Sequence, residues 1–157
     1  MGEDLKYGWR HGGKVSVPVA MAAAQVISAQ SGKFVFMSAG AATLNVDGST
    51  TIFGHLESHA HTPATGAELN CIIDLTAVFR VPINAGTYAV GMVGDYCDIS
   101  VATSIQGVQL DASTENTLIV VGGSGAVYVD VMMNPAVWGT LLGADAYFDI
   151  NNLKEGQ

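Results

Sequence analysis

Charged residues are scarce in this chain: they make up 13% of its 157 residues, whereas an ordinary soluble domain carries roughly 25%. The hydrophobic share is 49%, so little polar side-chain surface is available to cover a lone globule. A chain of this length is expected to fold as one domain around one core. We interpret the shortage of charge as an indication that partner molecules cover part of the surface. A neutral β protein rich in glycine and alanine is the alternative.

Basic residues are fewer than acidic ones and are concentrated near the N-terminus. Residues 1–33 have a net charge of +2, and the remaining residues have a net charge of −10, which together give the −8 of the whole chain. Because so acidic a body repels phosphates, we expect no direct binding of nucleic acid. The basic N-terminus is suited to docking on an acidic neighbour, although a solvated tail explains it equally well.

The chain has only two cysteines, Cys71 and Cys97, and these supply neither a disulfide framework nor a zinc ligand set. Both lie in apolar runs, which favours buried free thiols, and a single bridge between neighbouring strands stays open. The apolar stretch at 15–29 is too short to span a bilayer and contains Pro18. No targeting signal follows the charged N-terminus. We therefore expect synthesis in the cytoplasm and no membrane role.

Short apolar runs separated by glycine, asparagine, aspartate and serine predict an all-β fold. We predict a single compact β-sandwich or β-barrel-like domain over residues 15–157, with an apolar C-terminal tail and an extended N-terminal arm over residues 1–14. Asp47-Gly48 predicts a type I′ hairpin. Pro82 indicates a segment at a sheet edge or a strand end. The predicted strands cover residues 34–40, 42–48, 50–56, 69–75, 77–83, 87–93, 96–102, 108–113, 116–123 and 126–133.

Large aromatic side chains occur at both ends of the chain, where leaving them in water is costly. In the arm they lie among basic residues, and the C-terminal tail contributes a tryptophan. We predict that six residues bind a partner: Lys6, Tyr7, Trp9, Arg10, Lys14 and Trp138. The alternative is that the aromatic residues pack on their own domain.

A local cluster of imidazoles is the strongest pattern for a metal site. His55, Glu57, His59 and His61 would share one face of an extended segment, where imidazole nitrogens bind transition metals. Their spacing matches no strong zinc signature, so a polar loop or an intersubunit contact explains them better. We accordingly expect no metal.

Patterns for other chemistry are weak. Asp95 and Asp98 are spaced like paired carboxylates, but catalysis needs a cleft and one raised pKa, and turn capping on a strand face explains them better. Residues 111–116 are typical of a loop in which side-chain oxygens accept hydrogen bonds from backbone N–H groups. Residues 122–125 predict a hairpin turn, since no Lys-Ser/Thr follows them as in a phosphate-binding loop. We expect no enzymatic activity and no cofactor.

The second half of the chain carries an ordered series of strand and turn motifs: FRVP (79–82), GDYCDI (94–99), LDASTEN (110–116), LIVVGG (118–123) and VDVMMNPA (129–136). This series resembles a recurring block in structural proteins of tailed bacteriophages, specifically the head decoration, or cement, proteins. The resemblance covers about half of the chain and does not extend to residues 1–60.

The resemblance implies a protein that binds the outside of an icosahedral capsid, often as a trimer at threefold and quasi-threefold positions. Such proteins fasten neighbouring major capsid protein subunits against the pressure of the packaged DNA. The implied partners are the major capsid protein and further copies of the chain in a homotrimer. The implied location is the outer surface of the virion, after synthesis in the host cytoplasm. A virion-surface domain that binds a receptor or a carbohydrate is the alternative.

Overall fold

The computed structural model describes residues 6–139, which form eleven β-strands and one 3₁₀ turn at Val90–Met92. The predicted C-terminal tail after Gly139 and the first five residues of the arm lie outside this range. The strands are β1 (Gly8–His11), β2 (Ser16–Ala20), β3 (Phe34–Ser38), β4 (Ala41–Leu44), β5 (Gly54–Leu56), β6 (Glu68–Ile72), β7 (Val78–Ala85), β8 (Tyr96–Ala102), β9 (Ile105–Gln109), β10 (Leu118–Ser124) and β11 (Tyr128–Met133).

The strands form two sheets that pack together into a compact, sandwich-like domain, which confirms the predicted fold class. The six-stranded sheet has the order β1-β7-β11-β10-β8-β9, and a parallel pairing between β7 and β9 curls it back on itself. The five-stranded sheet has the order β2-β6-β5-β3-β4. A bridge from Met21 to Ala42 brings the chain after β2 to the opposite edge of this sheet.

The main core lies between the two sheets. Because successive residues of a strand point to opposite faces, alternate residues of β7 such as Phe79 and Val81 are buried there. Phe34 of β3 meets Phe79 edge-on, with 5.4 Å between the ring centroids. The next residue, Val35, points away from this core into a second apolar cluster on the other face of the five-stranded sheet.

The two cysteines are buried and unpaired, as the apolar runs around them predict. Cys97 belongs to the main core and Cys71 to the second cluster. Burial raises the pKa of each thiol to about 12. Both side chains therefore stay protonated at ordinary pH and act as small apolar groups.

One buried side chain joins the backbones of the two sheets. The amide of Gln106 on β9 accepts a hydrogen bond from the N–H of Phe34 (2.7 Å) and donates to the carbonyl oxygens of Phe34 (3.0 Å) and Asn45 (2.9 Å). The backbone N–H of Gln106 donates to Ser31 Oγ (2.7 Å), and its carbonyl accepts from the N–H of Gly32 (2.7 Å). The side-chain amide thus hydrogen-bonds to the backbone of the opposite sheet, as a neighbouring strand would.

Replacing Gln106 by leucine should destabilise the domain strongly. The N–H of Phe34 and the C=O of Asn45 would lose their partner, and the C=O of Phe34 would keep only its bond from the N–H of Asn45. A buried unpaired polar group costs about 1–3 kcal/mol. We expect the free energy of unfolding in urea to fall by roughly 3–5 kcal/mol. Gln106→Glu keeps the acceptor for the N–H of Phe34 but places a buried carboxyl group against two carbonyl oxygens, so it should also destabilise the domain. Gln109→Leu on the same strand is the control, and an equal loss there would contradict this role.

The tight hairpin in the first half of the chain differs from the predicted one. Ser38 pairs with Ala41, and the two residues between them, Ala39 and Gly40, have φ angles of +49° and +80°, as a type I′ turn requires. The prediction of this hairpin at Asp47-Gly48 is wrong, because β3 lies between the strands on either side of that turn. Alanine gives no sequence signal for the left-handed conformation, so the pattern favoured the wrong turn.

The placement of Pro82 at a sheet edge is also wrong, since it lies inside β7 opposite Tyr128 of β11. On its other side β7 changes neighbours at this point. The pairing with β1 includes Arg80, and the pairing with β9 includes Ile83. Pro82 lies between these two pairings, where β7 needs no N–H donor on that side.

Part of the predicted arm is itself a strand of the six-stranded sheet. β1 runs antiparallel to β7, with Trp9 opposite Phe79, and Tyr7 just before it is buried. The chain then passes so close to the turn before β7 that a Cβ on Gly13 would overlap the carboxylate of Asp74. Residues 8–11 are therefore part of the domain's own sheet.

Candidate interaction surfaces

Three of the predicted partner-binding residues contact one another at the start of β1. Tyr7 is buried, and the ammonium of Lys6 lies 5.0 Å from its ring centroid. The guanidinium of Arg10 donates a hydrogen bond to the backbone carbonyl of Lys6. These contacts lie within the chain, so the role of the three residues toward a partner stays a prediction.

Trp9 and Lys14 form a second group on the same edge. Trp9 is 37% exposed, and its Nε1–H donates to the carbonyl of Gly13 (3.2 Å). The ammonium of Lys14 lies 5.0 Å from the Trp9 ring centroid and 2.6 Å from Oε1 of Glu57. An aromatic face, a cation and a carboxylate thus meet here in contact with solvent.

Trp138 lies elsewhere: it follows β11 in the chain and packs against the segment before β5. Its Nε1–H donates to the carbonyl of Phe53 (2.7 Å), and the two rings stack with 6.1 Å between centroids. The next residue, Gly139, donates its N–H to the carbonyl of Ile52 (3.0 Å). The indole therefore fixes the end of the described chain to its own domain.

The histidines weighed as metal ligands do not share a face. His55 is buried in the main core, with its ring centroid 4.7 Å from that of Phe79, whereas His59 and His61 stack on each other at 4.4 Å outside it. The expectation fails because β5 ends at Leu56, and the alternation of side chains ends with it. Among residues 6–139, no three histidine, cysteine, aspartate or glutamate side chains are grouped to hold a metal ion.

His55 is held neutral in the core. Its Nε2 accepts a hydrogen bond from the backbone N–H of Lys33 (3.1 Å), so this nitrogen carries no proton. Burial, and after it the positive charge of Lys33, lowers the pKa of His55 to about 3. The imidazole is thus a structural group of the core.

Stability should fall on acidification below about pH 6.5, because an unfolded histidine then binds a proton that buried His55 does not accept. The loss attributable to His55 should approach about 1.4 kcal/mol per pH unit, down to its folded pKa of about 3. His55→Gln keeps an acceptor for Lys33 and does not titrate. Urea unfolding at several pH values should show a smaller acid loss for His55→Gln than for wild type, with surface His59→Gln as control. Parallel pH profiles for all three proteins would contradict this account.

Asp98 closes a loop, as the strand-face interpretation predicts. Its buried carboxylate accepts hydrogen bonds from the backbone N–H groups of Thr114 (2.6 Å), Glu115 (3.1 Å) and Asn116 (2.8 Å). The predicted loop at 111–116 is therefore closed by a side chain of β8 and not by one of its own.

A second carboxyl group lies beside this cap. A side-chain hydrogen bond with Asp98 raises the pKa of Glu115, with smaller contributions from desolvation and from the charge of Asp98. A raised folded pKa means that ionised Glu115 disfavours the folded state. The favourable contribution is complete below the unfolded pKa and is lost as the pH rises through the folded pKa.

Glu115→Gln should therefore raise the melting temperature at pH 7, because it removes the carboxylate that faces Asp98. The gain should shrink as the pH is lowered toward about 4, where wild-type Glu115 is protonated. Thermal unfolding at both pH values measures the change in melting temperature. Glu68→Gln, at an exposed position, is the matched control. A gain that does not depend on pH would point to a cause other than titration of Glu115.

An exposed apolar surface lies at the end of the six-stranded sheet where β7 ends. The segment after β7 and the turn between β10 and β11 meet there, since the N–H of Tyr88 donates to the carbonyl of Gly125 (2.8 Å). We define the apolar ridge as four large exposed side chains, three from these two loops and one from the start of β8: Val90 (82% exposed), Val93 (51%), Val127 (52%) and Tyr96 (49%).

Sequence reasoning missed the apolar ridge because it predicted a strand at 87–93. The chain instead forms the 3₁₀ turn Val90–Met92, in which no residue is buried. Gly94 then adopts a φ of +96° and donates its N–H to the carbonyl of Val120 (2.8 Å), which turns the chain into β8. Gly91 and Gly94 are the signal that was available, because two glycines so close together disfavour a strand.

A cleft of about 500 Å³ lies beside the apolar ridge. Two exposed carboxylates, Asp95 and Asp111, give it negative charge. Its apolar lining comes from Met92, Tyr96, Leu110, Ala112 and Val120. This end of the domain thus combines exposed apolar groups with acidic ones.

Comparison of the chain with protein-family models, with curated proteins and with solved structures found no match. No helix in the described part of the chain has the length and apolarity needed to cross a membrane. A functional hypothesis for this chain must therefore be built on its own motifs and surfaces.

Proposed function

We propose that this chain is a non-enzymatic decoration protein of a tailed-phage head, which binds the outer surface of major capsid protein subunits and stabilises the shell. The observation that carries the proposal is the apolar ridge, because four large apolar side chains left exposed at one end of the domain are costly in water and are typical of an interface. Two of the motifs that resemble phage head proteins, at 94–99 and 110–116, border the cleft beside it. Motif and surface therefore coincide.

The chemistry of the surface defines the partner. Asp95 and Asp111 favour lysine or arginine side chains on the capsid protein, and the apolar ridge favours an apolar patch next to them. Each contact is of modest size, but a repeated lattice and a symmetric oligomer increase the total binding. The ridge is better supported than Tyr7 and Trp138, whose rings are occupied by contacts within the chain.

The proposal includes the homotrimer that the family resemblance implies, located on the outside of the virion. Its partners are the major capsid protein and two further copies of itself, with no direct contact to DNA because the body is acidic. Native mass spectrometry of the purified protein measures the oligomer. A monomer in solution would remove the trimer from the proposal and leave shell binding to be tested on heads.

Val93→Asp should weaken attachment to the shell without unfolding the protein. The side chain is 51% exposed, so the charge is tolerated in the free protein but would be buried in the interface. Heads prepared without the protein are mixed with each variant and sedimented, and the temperature at which they release DNA is recorded. We expect wild type to bind and to raise that temperature, and Val93→Asp to bind at least about tenfold more weakly.

Val46→Asp is the matched control, since Val46 is 53% exposed and lies on another part of the surface. It should bind heads as wild type does. Failure of wild type to bind heads would overturn the proposed function. Equal binding by Val93→Asp and wild type would show that the apolar ridge is not the contact surface.

A further inference from the structure

A pocket of about 380 Å³ opens at the other end of the six-stranded sheet. We define the N-terminal pocket by its rim, which consists of Trp9, Lys14, Glu57, Ser58 and His59. Trp9 lies opposite Phe79 near the start of β7, and the apolar ridge follows the end of that strand. At about 3.3 Å per residue, the two surfaces are roughly 20 Å apart.

The floor of the N-terminal pocket is fixed and polar. His55 and Lys33 line it, and both are buried. His55 is held between Phe34 and Phe79, and the ammonium of Lys33 donates to the carbonyl of Ser31 (3.3 Å). Because these groups are already in place, a ligand would not have to order them on binding.

The rim places complementary chemical groups around one opening. The exposed indole of Trp9 offers an aromatic face, and Lys14 and Glu57 offer a cation and an anion 2.6 Å apart. The side chains of Lys14 and Glu57 are 48% and 30% exposed, so both can turn toward a ligand. A preformed cleft of this volume with a few convergent polar groups is typical of a small-molecule site.

We propose that the N-terminal pocket binds a neutral sugar ring, stacked on Trp9 and hydrogen-bonded through its hydroxyls to Lys14 and Glu57. The C–H groups of a pyranose face are apolar and fit an aromatic surface. Its hydroxyls both donate and accept, so they satisfy a carboxylate and an ammonium together. In the structure the Lys14 ammonium lies over the indole. A stacked sugar ring would take that position, and the hydroxyls of the sugar would then bind the displaced Lys14 and its partner Glu57.

Charge distinguishes a neutral sugar from other ligands. An acidic sugar or a phosphate would gain Lys14, since the ammonium of Lys33 in the floor is already bonded to the carbonyl of Ser31. It would also meet Glu57 and a chain of net charge −8. A purely apolar ligand would leave the Lys14–Glu57 pair buried without solvent, which is costly. This inference does not rest on the proposed attachment to phage heads, because it uses a separate surface.

Saturation-transfer NMR on the full-length protein tests the proposal, with the methyl glycosides of glucose, galactose, mannose and N-acetylglucosamine as probes. We expect saturable binding of at least one of them. Trp9→Ala should weaken it by about tenfold or more, whereas Trp9→Phe should keep most of it because an aromatic face remains. Glu57→Gln should also weaken it, and this surface substitution leaves the fold intact, which circular dichroism confirms.

Tyr96→Ala on the apolar ridge is the matched control, since it removes an exposed aromatic ring at the opposite end. Tyr96→Ala should leave sugar binding unchanged and weaken binding to heads. Trp9→Ala should weaken sugar binding and leave binding to heads unchanged. Absence of saturable binding by all four probes would overturn the proposal. So would binding that Trp9→Ala and Glu57→Gln leave unchanged, or stronger binding of sialic acid than of any neutral probe.

Discussion

The buried amide of Gln106 is the contact on which the relation between the two sheets depends. Apolar packing brings the sheets together but has little direction. Three hydrogen bonds between one side-chain amide and the backbone of Phe34 and Asn45 fix the mutual position of the sheets. Phe34 in turn packs against both His55 and Phe79. The floor of the N-terminal pocket is therefore positioned by the same contact that joins the sheets.

The domain has two chemically different ends, and the single strand β7 connects them. At its start, β1 adds Trp9 and the charged pair Lys14–Glu57. Beyond its end, two loops expose the apolar ridge and the acidic cleft. A protein attached to a shell by the ridge would present the N-terminal pocket to the surroundings, so the two proposed contacts are compatible in one molecule.

Much of the fold could be predicted from the sequence, because the alternation of side chains in a strand is a local property. The residues that β7, β8, β10 and β11 contribute to the main core alternate along each strand and follow from it directly. What could not be predicted depends on partners far away in sequence. Gln106 and His55 are polar residues that normally indicate a surface, and only the opposing sheet shows that they are buried. The apolar ridge was missed for the opposite reason: valine normally indicates a buried strand, and the sequence does not show that these valines are exposed.

The distance in sequence between β1 and its partner has a consequence for folding. Five strands of the six-stranded sheet, β7 to β11, come from the continuous stretch 78–133, whereas Trp9 pairs with a residue 70 positions later. Closing so long a loop is slow compared with forming the hairpins of that stretch. During synthesis β1 thus emerges well before its partner strand, and Tyr7 and Trp9 stay uncovered until β7 has been made.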